Sequence, residues 1–177
     1  MYLAGLDLAG KDKNLSVIAL YDTRTKQYIL KEVYTDEHIL NVLKQFSPRI
    51  IAIDAPLTQP LQKNNAFREA ERELIRRGFR PLPLNIDSMK ILVERGMKIK
   101  NKILRVLPEC EIIECFASAS LKLMHLNKAE LEIKFNKKLN KDEIDAIACA
   151  NTAYFYKMGH YEEVGDPKEG TIILPKL

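Results

Sequence analysis

A chain of 177 residues, 46% hydrophobic and 29% charged, is about one domain long on a scale of ~100–200 residues per domain and apolar enough for one sizeable core. Seven Gly, eight Pro and no low-complexity run exclude a disordered, collagen-like or mucin-like chain. The formal net charge of +4 is unevenly spread: from Lys63 to Arg105 there are twelve Lys or Arg against five acids, leaving 16 basic and 19 acidic residues elsewhere.

In chain order, Tyr2–Leu8, Leu15–Tyr21 and Gln27–Tyr34 are short apolar or alternating runs separated by GKDKN and DTRTK, which predicts three strands in two consecutive hairpins. After Thr35, a plausible N-cap, Ile39, Leu40, Leu43 and Phe46 recur at helical spacing until Ser47-Pro48 stops the run. RIIAIDA, Arg49–Ala55, is a continuous apolar strand ended by Pro56. The basic region reads as two helices, Asn65–Arg77 closed by Gly78 and Ile86–Leu107, joined by FRPLPL. Glu111–Phe116 is a further strand and Ser118–His125 a short helix, while LNKAELEIKFNKKLN fits neither period cleanly. Lys141–Lys157 is a helix with Ile144, Ile147, Ala148 and Ala150 on its packing face, and Thr171–Leu174 is a last apolar run.

The order β-β-β-α-β-α-β-α implies an α/β domain spanning residues 1–177. Its mixed sheet of five to six strands would be antiparallel over the first three, parallel after the crossovers, and covered by helices. MYLAGLDLAGKDK lacks the basic lead and cleavage site of a signal peptide, and no apolar run approaches the ~18–20 residues of a bilayer span, so the expectation is a cytoplasmic protein. Cys110, Cys115 and Cys149 form no C-x-x-C pair and read as small buried hydrophobes.

The chemistry rests on acids at strand and helix ends. Asp7 ends the first strand and Asp54 the fourth, both after runs apolar enough to be buried. If those strands are parallel neighbours, the two carboxylates lie side by side at the edge where α/β proteins place ligands. A carboxylate in such surroundings must be paired, protonated or metal-bound. Asp142 and Asp145 fall one turn apart on the last long helix; Asp142 can also be a simple helix-end acid, whereas Asp145 lies on or beside the buried face. Glu114, inside the apolar EIIECF, reads either as a site residue or as half of a buried salt bridge. Oxygen ligands from several elements, without a His or Cys cluster, suit Mg²⁺ or Mn²⁺ better than zinc. Two such ions ~3.5–4 Å apart would clamp a phosphodiester for hydrolysis.

Asp7 in GLDLAG, Asp54 in IAIDAPL, the RxxERELIRRG-type segment from Arg68, Glu114 in IIECF, Asp142 and Asp145 in KDEIDAIACA, and the closing GDPKEGTIILP resemble, along nearly the whole chain, the predicted-nuclease family known as domain of unknown function 429. That resemblance implies a ribonuclease H-like fold, with an acid placement similar to that of Holliday-junction resolvases. It further implies Asp7, Asp54, Asp142 and Asp145 as metal ligands and Glu114 as a fifth catalytic acid near them. Arg68 and Arg72 resemble the family's arginine positions; they could bind substrate phosphate, or pair with Glu69, Glu71 or Glu73 on the helix surface. Lys11, just past the Asp7 turn, is a weaker substrate-binding candidate.

The function expected is therefore a Mg²⁺- or Mn²⁺-dependent nuclease acting on DNA or RNA, in a chain that could assemble as a homodimer. A non-catalytic nucleic-acid-binding module is an alternative, with the basic region as its phosphate contact surface. GLDLAG also resembles the first phosphate loop of actin-like ATPases, a third reading that a one-domain length disfavours.

Overall fold

The structure, a computed structural model, describes residues 1–62 and 64–177; Lys63, counted in the basic region, lies outside the described residues. Strands β1 (Tyr2–Asp7), β2 (Ser16–Asp22) and β3 (Gln27–Val33) form the expected antiparallel meander. Helix α1 (Asp36–Phe46) leads to β4 (Ile50–Asp54), which pairs parallel with β1, and β5 (Glu111–Glu114) pairs parallel with β4. The result is a mixed five-stranded sheet ordered β3-β2-β1-β4-β5, with β1 at its centre.

Between β4 and β5 run α2 (Glu69–Arg76) and α3 (Asp87–Val106); α4 (Ala117–Leu123), α5 (Lys128–Phe135) and α6 (Lys141–Lys157) follow. Alternation along the strands divides the core in two. Ala4, Leu6, Ile18, Leu20, Ile51 and Ile53 pack on one face against Ile39 and Leu43 of α1 and Ile99 and Ile103 of α3. On the other face Leu3, Ile50 and Ala52 meet Ala148, Cys149 and Ala153 of α6. Among the described residues all three cysteines are buried and unpaired, two of them in this second layer.

Three elements differ from the sequence expectation. Helix α2 starts at Glu69 rather than Asn65, because its free N–H groups are capped there. The Glu71 carboxylate accepts from Arg68 N at 2.8 Å and the Glu169 carboxylate from Glu69 N at 2.9 Å. The ambiguous stretch forms α5, whose N-cap Asn127 accepts from Glu130 N and whose C-cap Asn136 is left-handed. The last apolar run, β7 (Gly170–Pro175), does not extend the main sheet. It pairs with β6 (Tyr161–Asp166) in a separate hairpin, joined to β5's end by an isolated parallel bridge, Cys115–Ile173.

Candidate functional site

Period-two alternation sends the two strand-end aspartates to the same face. Leu3, Gly5 and Asp7 share one parity along β1, and Ile50, Ala52 and Asp54 share one along β4. Both sets face α6, and the parallel register puts Asp7 directly beside Asp54. The third acid arrives with α6, which lies unusually close to β1. A Cβ placed on Gly5 would stand 2.2 Å from both the Ala146 carbonyl oxygen and the Ala150 nitrogen. Glycine at this position therefore allows the helix backbone to rest on the strand and brings Asp145 to its end. Asp7, Asp54 and Asp145 each offer a carboxylate oxygen, and these atoms all lie within 4.8 Å of one another.

Asp145 is buried and Asp7 and Asp54 are half-buried, and negative charge on their neighbours makes Asp7 and Asp54 harder to ionise. Asp7 is pushed up from 3.8 to about 8, first by burial and then by the charges of Asp54, Asp145 and Asp142, against the opposing pull of Lys141. Burial also raises Asp54, to about 7, although the backbone N–H of Ala117, first residue of α4, donates to its Oδ1 at 3.2 Å and stabilises the anion. Lys141, one turn ahead of Asp145 on α6, donates to the Asp145 carboxylate. Its ammonium is the nearest compensation the fold provides, and Asp145, Asp7 and Asp54 all help keep it charged. The donor set is three oxygens with no His or Cys, which fits a hard divalent cation. Asp142 is half-buried one turn earlier, outside the trio but near enough to act on Asp7.

Glu114 lies outside the trio, although it borders the same concavity and its charge acts on Asp54. It pairs in register with Ile53, and like Ile53 it points to the opposite face of the sheet from Asp54. There its carboxylate is fully engaged: Oε2 accepts from Leu57 N at 2.8 Å and from Arg68 Nη1 at 3.0 Å, and Oε1 accepts from Arg68 Nη2. Of the two readings open to this residue, the geometry is that of the buried salt bridge. Arg68, the first arginine expected to bind substrate, is the partner. It is wholly buried, paired to both Glu71 and Glu114, and donates to Thr58 Oγ1 at 2.6 Å. Its guanidinium has no face left for a phosphate. Arg72 is exposed and pairs with Glu69 at 3.4 Å. Lys11 is exposed beside Arg95 and Lys98, in a cleft separate from the acids.

Much of the basic region is likewise neutralised within the fold. Arg76 pairs with Glu69, Arg77 with Glu162 and Lys90 with Asp87, while Arg95 and Lys102 share Asp36. Among the described residues of that region, Arg80, Lys98, Lys100 and Arg105 make no ion pair.

The acids open into a concavity of about 350 Å³, bounded by Asp7, Asp54, Arg80, Leu82, Phe116 and Lys141 among others. Lys141 is passed over by sequence reasoning, and Arg80 enters it only as one charge of the basic stretch. For Lys141 a signal exists in its i,i+4 spacing to Asp145; for Arg80 there is none, since its place depends on how the FRPLPL segment crosses the end of the sheet. No helix among the described residues is long and apolar enough to cross a membrane. No protein-family model, curated protein or solved structure matches the chain.

Proposed function

We propose that this protein is a divalent-cation-dependent phosphodiesterase acting on nucleic acid, built on a ribonuclease H-like scaffold. The observation that carries the reading is the convergence of Asp7, Asp54 and Asp145, with oxygens within 4.8 Å of one another at the carboxyl end of β1 and β4. The strand order β3-β2-β1-β4-β5, with an antiparallel meander followed by parallel strands, supports the scaffold. So does the resemblance of GLDLAG, IAIDAPL and KDEIDAIACA to the predicted-nuclease family.

Asp7, Asp54 and Asp145 would hold Mg²⁺ or Mn²⁺, with Asp142 available from the next turn of α6. When bound, such a cation supplies Lewis acidity: it lowers the pKa of an attacking water and offsets charge on the phosphate oxygens. The chain's own groups do the rest. The Ala117 N–H fixes the orientation of the Asp54 carboxylate, Lys141 offsets the negative charge of the trio, and the apolar surroundings raise the affinity of the acids for any cation. Arg68 and Glu114 act at a distance: their ion pair, with the Leu57 N–H, anchors the chain just after Asp54.

The reading is tested by incubating the purified chain with labelled single-stranded, duplex, hybrid and branched DNA and RNA in Mg²⁺ or Mn²⁺. Chelator-sensitive cleavage lost at least a hundredfold in Asp7→Asn and in Asp54→Asn is the expected result. Cleavage that survives both substitutions, or no cleavage of any of these substrates, overturns it.

A further inference from the structure

The concavity beside the acids is more than an approach to them. Its far side is the segment between α2 and α3, which contributes Arg80, Pro81 and Leu82, with Met89 from α3 and Phe116 from the start of α4 facing it. Leu82 is 58% exposed at its lip, a large apolar side chain left uncovered. Pro81 and Pro83 fix the backbone on either side of it, so the lip is held extended and ready-made. Arg80 is exposed and, among the described residues, makes no ion pair, although Arg76 and Arg77 just before it are both paired. Lys141 stands on the wall nearest the acids. The pocket is thus lined by the carboxylates of Asp7 and Asp54, by Glu71 and Glu114, whose charge Arg68 offsets, by the cations Lys141 and Arg80, and by an apolar group with one aromatic ring.

We infer that this pocket receives a single unpaired nucleotide, its phosphate toward the carboxylates, Lys141 and Arg80, and its base against Leu82, Met89 and Phe116. The phosphate end rests on the phosphodiesterase reading; the base end rests on the apolar wall alone. A phosphate by itself leaves that wall unused, and a purely apolar ligand leaves Arg80, which makes no ion pair among the described residues, unused; Lys141 is already paired with Asp145. About 350 Å³ lies at the low end of the ~300–1,000 Å³ of small-molecule sites, a volume that suits one nucleotide. A base stacked within a duplex cannot enter such a concavity without being extruded, at a cost that an unpaired or terminal nucleotide avoids. The substrate class is therefore nucleic acid carrying an unpaired nucleotide at or next to the bond cut: a strand end, a flap or a single strand.

The test is calorimetric titration of the full chain in Mg²⁺ with AMP, ribose 5-phosphate and inorganic phosphate; none of these contains a phosphodiester bond, so none reports hydrolysis. AMP should bind at least ~10-fold more tightly than ribose 5-phosphate, since burying a base on an apolar wall adds affinity that the sugar phosphate lacks. Leu82→Asp changes an exposed side chain, so its thermal melt should match the parent's while AMP falls to the level of ribose 5-phosphate. Arg80→Ala should weaken all three ligands by a similar factor. Equal affinity for AMP and ribose 5-phosphate, an AMP preference that survives Leu82→Asp, or no binding of any of the three overturns the inference. Cleavage of paired and unpaired strands at equal rates, without AMP preference, sinks the nucleotide pocket and leaves the phosphodiesterase reading. AMP binding as described without any cleavage sinks the phosphodiesterase reading instead.

Discussion

In chelator-treated protein, stability should fall steadily between about pH 6 and about pH 8, and Asp7→Asn should remove much of that fall. Asp7 titrates near 8 in the folded chain instead of 3.8, and Asp54 near 7, both chiefly because burial penalises the anion. Over this window the unfolded chain has already released both protons, while the folded chain holds that of Asp54 up to about pH 7 and that of Asp7 up to about pH 8. The native state therefore binds more protons, and raising the pH favours unfolding. The stabilisation is complete below about pH 4 and disappears as the pH passes the folded values. One such group contributes a slope of ~1.4 kcal/mol per pH unit. Asp7 acts over both units of the window and Asp54 over the first, so the fall is on the order of 3–4 kcal/mol. For a chain of 177 residues that is a drop in Tm on the order of 10 °C. The assay is thermal or urea unfolding in EDTA at half-unit pH steps. The Asp7→Asn variant, left with Asp54 alone, should level off near pH 7 while the parent continues down to about pH 8. A parent curve flat from pH 6 to 8, or a variant that follows the parent throughout, refutes the claim that these carboxyls are crowded out of water.

Further outcomes follow from the parts that position the acids. Gly5→Ala puts a methyl group 2.2 Å from the backbone of α6, so the helix must retreat; urea unfolding should show a loss of ~1–3 kcal/mol, and an unchanged midpoint would mean that α6 does not rest on β1 there. Arg68→Met strands two buried carboxylates, Glu71 and Glu114, and should cost ~3–5 kcal/mol by the same measurement, with part of that regained in the double variant carrying Glu114→Gln. A cost below ~1 kcal/mol would show that Arg68 reaches solvent. Because Glu114 lies on the other face of the sheet, Glu114→Gln alone should leave Mn²⁺ affinity within a few-fold of the parent, whereas Asp54→Asn should lower it at least ~10-fold; equal losses in calorimetry would place Glu114 among the ligands after all.

How far the sequence discloses this site depends on what each residue's placement requires. Asp7 and Asp54 are legible because each closes an apolar strand, and a parallel pairing of those strands suffices to bring them together. Asp145 is legible because a charged residue among AIACA must face something other than lipid-like core. Glu114 ends a strand in the same manner, yet β5 pairs one residue out of step, Glu114 beside Ile53, and a shift of one reverses the face. No local pattern in EIIECF discloses that register. Strand β6 is hidden for a different reason: YEEVGD exposes two glutamates in succession and buries only Val164 at its centre, so no alternation marks it. The basic stretch looks like a polyanion surface in one dimension, but its partners Asp36, Glu114 and Glu162 come from other elements. Lys141 and Arg80 acquire their roles only when the chain closes around the end of the sheet.

The most direct measurement is the anomalous difference map of a crystal soaked in Mn²⁺. A peak coordinated jointly by Asp7, Asp54 and Asp145, with the Lys141 ammonium displaced from Asp145, is what the convergence of these carboxylates predicts. A map with no peak among the three, or with Mn²⁺ held elsewhere while Lys141 stays on Asp145, would contradict it.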